Sequence, residues 1–289
     1  MRRNRLAVDN VNFKIDRRQA RASFDRAAPG YDRAAVLQHE VESRLFERLE
    51  FVRLKPATIL DLGCGTGGAS AALLSRYGRA RVVACDIALS MLVRTRTRGR
   101  WLRRPLCVGG DAESLPFADG RFDLVFSNLM LQWCDDPDRV FREIRRILAP
   151  GGLLMFTTFG PDTLRELRSS WATVDGYTHV NAFMDMHDVG DALVRCGLTE
   201  PVMDVERLTL TYKDARGLMR DLKAIGAHNV TRGRPRGLTG RHKLDRFVAA
   251  YEQFRRPDGL LPASYEVVNG HAWAPDNRVS IPVERLKKS

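Results

Sequence analysis

The chain has 289 residues, of which 44% are apolar, so it is long enough to bury one α/β core and still carry additional segments. Its 47 lysines and arginines outnumber its 35 aspartates and glutamates, which gives a formal net charge of +12. No apolar run approaches about 20 residues, and this excludes a transmembrane helix.

The first residues and the cysteines indicate the compartment. The chain starts with a basic segment that no apolar stretch follows, so we expect a cytoplasmic protein without a secretory signal. The five cysteines are Cys64, Cys85, Cys107, Cys134 and Cys196. They include no C-x-x-C pair and mostly lie in or beside predicted strands, which indicates small buried residues and no bound metal.

The positive charge predicts an anionic partner. Much of it falls in two clusters: Arg94, Arg96, Arg98, Arg100, Arg103 and Arg104, and then Arg232, Arg234, Arg236, Arg241 and Lys243. A nucleic acid and an acidic carrier protein would be attracted by the same field, so charge alone does not choose between them. Arginine-rich usage without any partner is a third explanation.

In chain order, the first predicted elements are two helices that precede any strand. A helical pattern runs from Asp16 to Ala27, Pro29-Gly30 interrupts it, and a second pattern runs to Val52. A helix pair in this place suits a cover over a ligand bound at the sheet that follows.

The stretch Ile59 to Gly68 predicts a strand, a tight turn and a helix start. Glycines at 63, 65 and 67 permit positive φ and allow a ligand to lie on the backbone. The pyrophosphate fingerprint G-x-G-x-x-G does not fit, and Asp61, just before the turn, would repel a pyrophosphate. The same carboxylate would attract an ammonium or a sulfonium.

Two more acids follow predicted strands. Asp86 ends the second strand and can accept both hydroxyls of a ribose, while Asp111 follows the third and can accept from an adenine amine. Strands near 58–62, 81–86, 105–109, 122–127 and 151–159 alternate with helices near 67–77, 88–99 and 137–149. This alternation predicts a parallel sheet with its ligand at the carboxyl edge.

Asp61 to Gly67, Asp86, Asp111 and Ser127-Asn128 together resemble the class I methyltransferases. The resemblance implies an α/β fold with a seven-stranded, mostly parallel Rossmann-like sheet, helices on both faces and a helical lid. It implies S-adenosylmethionine as methyl donor and no metal. The implied cofactor-binding residues are Asp61, Gly63, Gly65, Gly67, Asp86, Ile87, Asp111, Ala112 and Asn128.

We expect a single domain over residues 1–289. Its predicted parts are a helical cover (1–54), a cofactor-binding core (55–159), a substrate lid in two pieces (160–197 and 213–258) and two closing strands (198–212 and 259–275). The closing strands, rich in β-branched and aromatic residues, would form an antiparallel pair that completes the sheet.

The substrate must be argued from the segments outside this core. Residues 128–134, 158–168, 179–188, 221–229 and 237–240 resemble the malonyl-acyl carrier protein O-methyltransferases of biotin synthesis, and the likeness runs from Phe24 to Ala274. That family methylates the free carboxylate of a malonyl group held on acyl carrier protein. The resemblance therefore implies this carrier as partner; a monomer is expected, with no membrane partner and with nucleic acid disfavoured.

A malonyl carboxylate is already ionised at neutral pH, so its methylation requires no general base. We expect one cation plus neutral donors around it, because a tight arginine clamp would stabilise the ground state more than the transition state. The catalytic candidates are Tyr31, Arg168, His179 and Lys223, and the substrate-binding candidates are Trp133 and Asn181. Simpler roles stay open: Arg168 as a surface charge, His179 as a turn cap and Tyr31 as a packing aromatic.

Two other enzyme classes remain as alternatives. The segment Gly160 to Arg168 also resembles a methyltransferase-like protein-arginine hydroxylase of respiratory complex assembly, which would need an oxidant. A nucleic-acid methyltransferase fits the charge, but Ser127-Asn128-Leu129-Met130 replaces the usual Asn-Pro-Pro-Tyr signature. A cofactor-binding scaffold without activity fits less well, since the glycine turn and both acidic strand ends are intact.

Overall fold

The computed structural model describes residues 15–99, 102–227, 229–231, 237 and 240–276. Within these ranges the chain forms ten α-helices: α1 (Arg17–Ala27), α2 (Tyr31–Ala34), α3 (Val36–Glu50), α4 (Gly68–Arg76), α5 (Leu89–Thr95), α6 (Pro137–Ile147), α7 (Arg165–Ala172), α8 (Met186–Arg195), α9 (Ala215–Ala224) and α10 (Arg241–Glu252). The strands are β1 (Thr58–Leu62), β2 (Arg81–Asp86), β3 (Leu106–Gly109), β4 (Phe122–Ser127), β5 (Leu148–Phe159), β6 (Thr199–Tyr212) and β7 (Leu261–Trp273).

The strands form one sheet in the order β3-β2-β1-β4-β5-β7-β6. Strands β1 to β5 are mutually parallel, while β7 runs antiparallel to both β5 and β6. The predicted α/β class, with a mostly parallel sheet and an antiparallel closing pair, is therefore confirmed. In such a sheet the carboxyl ends of the parallel strands share one edge, and β1, β2 and β4 end there side by side.

The two faces of the sheet carry separate apolar clusters, because successive strand side chains point to opposite sides. One face packs against α6 and α8 and includes Leu60, Leu62, Val125, Leu154, Phe141, Val189 and Leu193. The other packs against α3 and α4 and includes Ile59, Leu124, Phe126, Met155, Leu45, Leu49 and Leu73. Since β1, β4 and β5 contribute to both clusters, the sheet is buried on both faces and positions its carboxyl edge rigidly.

Several boundaries differ from the sequence prediction. The second N-terminal helix is divided at Ala35, so a short α2 precedes α3. Strand β5 starts at Leu148, which pairs with Phe122, and the register then shifts so that Leu124 pairs with Leu153. This irregularity falls at Pro150-Gly151-Gly152, between the two registers.

The lid helices share a third apolar cluster with the cover. Phe247 and Tyr251 of α10 are fully buried there, together with Trp171 of α7, Leu218 of α9 and Leu37 of α3. Burying such large aromatic side chains contributes a few kcal/mol each. The lid is thus packed against the sheet edge rather than loosely attached. Within the described ranges, every helix is too short or too polar to cross a lipid bilayer.

Candidate functional site

The glycine turn between β1 and α4 is pressed against its neighbours. Gly63 has φ of +76°, and a Cβ there would lie 2.4 Å from Cγ of Met130. Gly67, with φ of +84°, precedes α4, and a Cβ there would lie 2.7 Å from Cγ2 of Thr95. Larger residues would strain the backbone and displace these side chains, so the close approach explains the glycines.

Asp86 holds this turn from the next strand. Its Oδ2 accepts from the Gly65 N–H at 2.9 Å, and its Oδ1 accepts from the Ala88 N–H at 2.8 Å. Burial raises the pKa of Asp86 to about 6, although these N–H donors oppose the rise. Each oxygen keeps a second lone pair, so the carboxylate can still accept from a ligand.

Two more buried carboxyls lie behind the turn. Ser70 Oγ donates to Oδ2 of Asp61 at 2.5 Å, and burial, followed by the charge of Asp86, raises the pKa of Asp61 to about 7. Glu42 of α3 accepts from the Ala69 N–H, and burial, followed by the charge of Asp61, raises its pKa to about 8. Three carboxyls that are costly to ionise create a site that favours a positively charged ligand.

A cavity lies between α1 and the ends of β1 to β3, and we call it the glycine-turn cavity. Its lining includes five of the predicted cofactor-binding residues: Gly63, Asp86, Ile87, Asp111 and Ala112. Arg17, Phe24, Met130 and Trp133 also line it. The structure therefore brings together the predicted ribose and adenine acceptors.

Arg17 is a lining residue that the sequence did not reveal. Its Nη1 donates to Oδ2 of Asp111 at 2.7 Å and lies 3.1 Å from Oε2 of the buried Glu113. The Glu113 N–H donates to the other oxygen of Asp111. Residues 94 positions apart make this pair, so no local signal could have predicted it. Helix α1 is thereby fastened over the cavity.

The other predicted cofactor residues lie outside this lining. Asp61, Gly65 and Gly67 support the turn as described above. Asn128 differs more from its predicted cofactor-binding role. Its Nδ2 donates to the Gln38 carbonyl at 3.0 Å, and its Oδ1 accepts from Thr157 Oγ1 at 2.7 Å. Both ends of this amide are used to join α3 to the sheet, which gives Asn128 a positioning role.

A second cavity lies between the sheet edge and the lid helices, and we call it the lid cavity. Its lining is mostly apolar, with these polar side chains among the described residues: Gln38, Gln132, Thr163, His179, Asn181, Tyr212, Asp221, Asn229 and Tyr265. Trp133 lines both this cavity and the glycine-turn cavity. The predicted substrate residue Trp133 thus stands where the two cavities meet.

Two amides that line the lid cavity each have a buried oxygen without a hydrogen-bond partner among the described residues. Asn181 is 6% exposed, and its Oδ1 has no hydrogen bond to any described residue. Oε1 of Gln38 is likewise buried without a partner in the described part of the chain. Leaving a buried polar atom unpaired costs about 1–3 kcal/mol, so such atoms at a cavity indicate a ligand site. Asn181 was predicted; Gln38 was not, since it is a single polar residue in an amphipathic helix.

His179 also lines the lid cavity. Its ring stacks on Trp171 at 3.9 Å between centroids, and its Nε2 lies 2.8 Å from Oδ1 of Asp175. Although burial opposes it, hydrogen bonds from His179 and Lys243 hold the pKa of Asp175 below its ordinary value. The imidazole is thus fixed by a stack and an ionised partner, with Nδ1 left for a ligand.

Arg168 and Lys223 both lie outside the lid cavity, but Arg168 lines a neighbouring cavity together with His179 and Asn181. Arg168 is partly exposed and donates to the Pro161 and Thr163 carbonyls at 2.9 and 3.1 Å, which braces the loop before α7. Lys223 is exposed, whereas Leu222 and Ile225 of the same region line the lid cavity. Among the described lining residues, His179 is the side chain that can carry a positive charge.

Tyr31 is the first residue of α2. It packs with Ala28, Ala88 and Met91, and burial, followed by the charge of Asp86, raises its pKa above the ordinary range. The hydroxyl is therefore un-ionised at neutral pH. The structure places it beside the Asp86 loop, outside the linings of both cavities.

The first basic cluster serves partly as internal bracing. Arg98 donates to the Thr66 carbonyl at 2.9 Å and pairs with Asp32, and Arg103 donates to the Leu74 carbonyl at 3.1 Å. In the second cluster, Lys243 pairs with Asp175 at 3.1 Å, while Arg100 of the first and Arg232, Arg234 and Arg236 lie outside the described residues. None of the described cluster members lines the lid cavity.

Known proteins resemble this chain in sequence. Residues 60–156 match a family described as Methyltransferase domain. A protein of Methylovorus sp. (strain MP688) named malonyl-[acyl-carrier protein] O-methyltransferase is 53% identical over 276 residues, covering 93% of each chain. A protein of the same name from Halorhodospira halophila is 55% identical, covering 90% of this chain and 88% of its own.

Solved structures agree at the level of the fold. A putative methyltransferase from Bacillus halodurans superposes with a TM-score of 0.58 at 18% identity, covering 81% of this chain and 99% of its own. A possible histamine N-methyltransferase from Thermotoga maritima gives 0.53 at 17% identity, covering 88% and 99%. At these identities the likeness concerns the arrangement of strands and helices alone.

Proposed function

We propose that this chain, which belongs to the family of malonyl-[acyl-carrier protein] O-methyltransferases, transfers a methyl group from S-adenosylmethionine to the free carboxylate of a malonyl thioester held on acyl carrier protein. The predicted enzyme class, an O-methyltransferase, is confirmed by this membership. We further propose that the methyl ester serves biotin synthesis. The observation that carries the proposal is the meeting of two chemically different cavities at Trp133.

The glycine-turn cavity suits the methyl donor. S-adenosylmethionine supplies an electrophilic methyl group on a sulfonium, and it also carries an ammonium. Asp61, Asp86 and Glu42 have raised pKa values in the empty protein, and a cation nearby would favour their ionised forms. We assign the ribose to Asp86, and the adenine to Asp111 with the apolar walls of Ile87 and Ala112.

The lid cavity suits the acceptor. A malonyl carboxylate needs no proton removed, so the protein has to hold one oxygen toward the methyl group and exclude water. Asn181 and Gln38 offer amide N–H donors, Gln132 keeps one N–H beside the one that it donates to the Leu129 carbonyl, and His179 can supply one positive charge. Neutral donors fit a reaction in which the negative charge of the carboxylate disappears, because they do not over-stabilise the ionised ground state.

Trp133 and Phe24 close the junction between the cavities. Their rings contact edge to face, with centroids 5.0 Å apart and an interplanar angle of 87°. An apolar junction keeps water from competing with the carboxylate for the methyl group. Helix α1, fastened by Arg17, carries Phe24 and so contributes to this closure.

The product distinguishes this function from its alternatives. Purified chain is incubated with radiolabelled S-adenosylmethionine and, in turn, malonyl-carrier protein, malonyl-coenzyme A or RNA, and the products are treated with base. A methyl ester releases volatile labelled methanol, and we expect this from malonyl-carrier protein. Label that stays on RNA, or no transfer to any malonyl thioester, would contradict the proposal.

A further inference from the structure

Helix α9 has two faces of opposite character. Leu218 is fully buried, and Leu222, one turn on, lines the lid cavity. The opposite face carries Arg216, Arg220 and Lys223, all exposed, at the i, i+4 and i+7 positions that share one side of a helix. We call these three residues the α9 stripe.

Two charges of the stripe are unneutralised. Arg216 pairs with Asp245 of α10 at 3.1 Å, but Arg220 and Lys223 have no ion-pair partner among the described residues. The acids of the same helix are engaged elsewhere: Asp214 accepts from the Gly217 N–H at the helix start, and Asp221 faces the lid cavity. The stripe therefore presents net positive charge to solvent.

The position of the stripe sets it apart from the first basic cluster. Arg94, Arg96 and Arg104 of the first cluster belong to the β3 edge of the sheet, far along the strand order from the lid, and none of them lines the lid cavity. Helix α9 instead forms a wall of that cavity with its inner face. A helix is about 10 Å across, so the stripe lies within about that distance of the acceptor site.

We propose that the α9 stripe is the docking surface for the acidic carrier protein that delivers the malonyl thioester to the lid cavity. This inference rests on the proposed function, since it takes its partner from there. The carrier stays outside while its thioester arm enters beside α9. Attraction between the stripe and an acidic surface raises the rate of productive encounter and sets the orientation of the arm.

The proposed docking surface also gives Lys223 a role. Its exposure separates it from the malonyl carboxylate, but the same exposure makes it available to a protein partner. Exposed charges at the rim of an interface act mainly on the association rate and on its dependence on salt. The α9 stripe should therefore influence substrates that bring the carrier and leave smaller thioesters nearly unaffected.

The test compares two charge reversals on two substrates. Arg220→Glu alters the stripe, and Arg79→Glu is the matched control, because Arg79 is also exposed without an ion-pair partner in the described ranges and precedes β2, in the half of the sheet away from β6. Each variant is assayed with malonyl-carrier protein and with malonyl-pantetheine, which has neither protein nor phosphate. Thermal unfolding verifies that both variants fold.

We expect Arg220→Glu to lower kcat/KM for malonyl-carrier protein about five- to tenfold and to weaken its dependence on salt. The value for malonyl-pantetheine should stay within about twofold, and Arg79→Glu should change neither. Equal losses on both substrates, or the same loss in Arg79→Glu, would overturn the docking surface. So would weakened binding of a short RNA with unchanged carrier kinetics. If the wild-type chain methylates neither malonyl substrate, the proposed function itself fails.

Discussion

Replacing Asn181 by leucine should separate function from stability. The two side chains have nearly the same shape, so the substitution removes the amide while it keeps the volume. Asn181 is 6% exposed, its Oδ1 has no partner among the described residues, and it lines the lid cavity. In a structural role this amide oxygen would be paired, so its lack of a partner among the described residues predicts that the folded chain gains nothing from the oxygen.

The expected changes in stability and in kcat/KM follow from what this amide contacts in the free protein and in the substrate-bound protein. In the free protein an unpaired buried polar atom costs about 1–3 kcal/mol, so Asn181→Leu should leave the free energy of unfolding unchanged or raise it by up to about 2 kcal/mol. That corresponds to a rise of roughly 0–8 °C in Tm for a chain of this size. With substrate bound, the substitution also removes the hydrogen bond that Nδ2 of Asn181 would donate to the carboxylate, about 1.5–3 kcal/mol, or roughly a ten- to hundredfold fall in kcat/KM.

Asn269→Leu is the matched control. Asn269 is 3% exposed and also has an unpaired buried Oδ1, but its Nδ2 donates to Asp204 at 3.2 Å, and it lies in β7 away from the lid cavity. We expect it to leave kcat/KM within about twofold. Tm is measured by calorimetry and kcat/KM with malonyl-carrier protein. A lower Tm for Asn181→Leu together with weaker S-adenosylmethionine binding would show a structural role and refute the reasoning.

Four further predictions concern the charged residues. Asp86→Ala should weaken S-adenosylmethionine binding by about 1.5–3 kcal/mol, because a charged acceptor is lost; calorimetry showing an unchanged Kd in a folded variant would remove Asp86 from the ribose site. Burial raises the pKa of Glu42 to about 8, so the stability that its protonated form contributes is lost as the pH rises toward that value. Glu42→Gln should therefore flatten the fall in Tm above about pH 5 when no ligand is added. Parallel Tm curves for the variant and the wild type would contradict this. S-adenosylmethionine should release protons on binding at pH 7, as the Asp61 carboxyl with its pKa of about 7 ionises beside the cation; equal heats in buffers of different ionisation enthalpy would exclude that. Lys223→Met should raise KM for malonyl-carrier protein more than it lowers kcat. An equal rise in KM for malonyl-pantetheine would indicate that Lys223 contacts the malonyl carboxylate and not the carrier.

The glycine turn and the cavity beside it could be predicted because their determinants are local. The glycines at 63 and 67 and the acid Asp86 report backbone requirements that hold wherever a strand turns into a helix, and the strand order places these residues at one edge. What was missed there depends on distant pairings. Arg17 with Asp111 and Glu42 with Asp61 join segments whose contact no sequence spacing reveals.

The acceptor side was predicted less well because it depends on helix phase and on side-chain partners. Lys223 follows Leu222, and neighbours on a helix face directions about 100° apart, so an apolar neighbour on the cavity argues that the lysine faces away. That phase could have been read from Leu218, Leu222 and Ile225. The bracing role of Arg168 could not have been predicted from the sequence, because its acceptors are backbone carbonyls that only the folded loop brings within reach.

The central claim is that the acceptor is a free carboxylate on a carrier-bound acyl group. The most direct measurement incubates the purified chain and S-adenosylmethionine with malonyl-carrier protein or with acetyl-carrier protein, which differs by lacking that carboxylate, and follows the intact carrier by mass spectrometry. We predict that malonyl-carrier protein gains one methyl group, that base treatment releases this group as methanol, and that acetyl-carrier protein is unchanged. Methylation of both carriers, or of neither, would contradict the account.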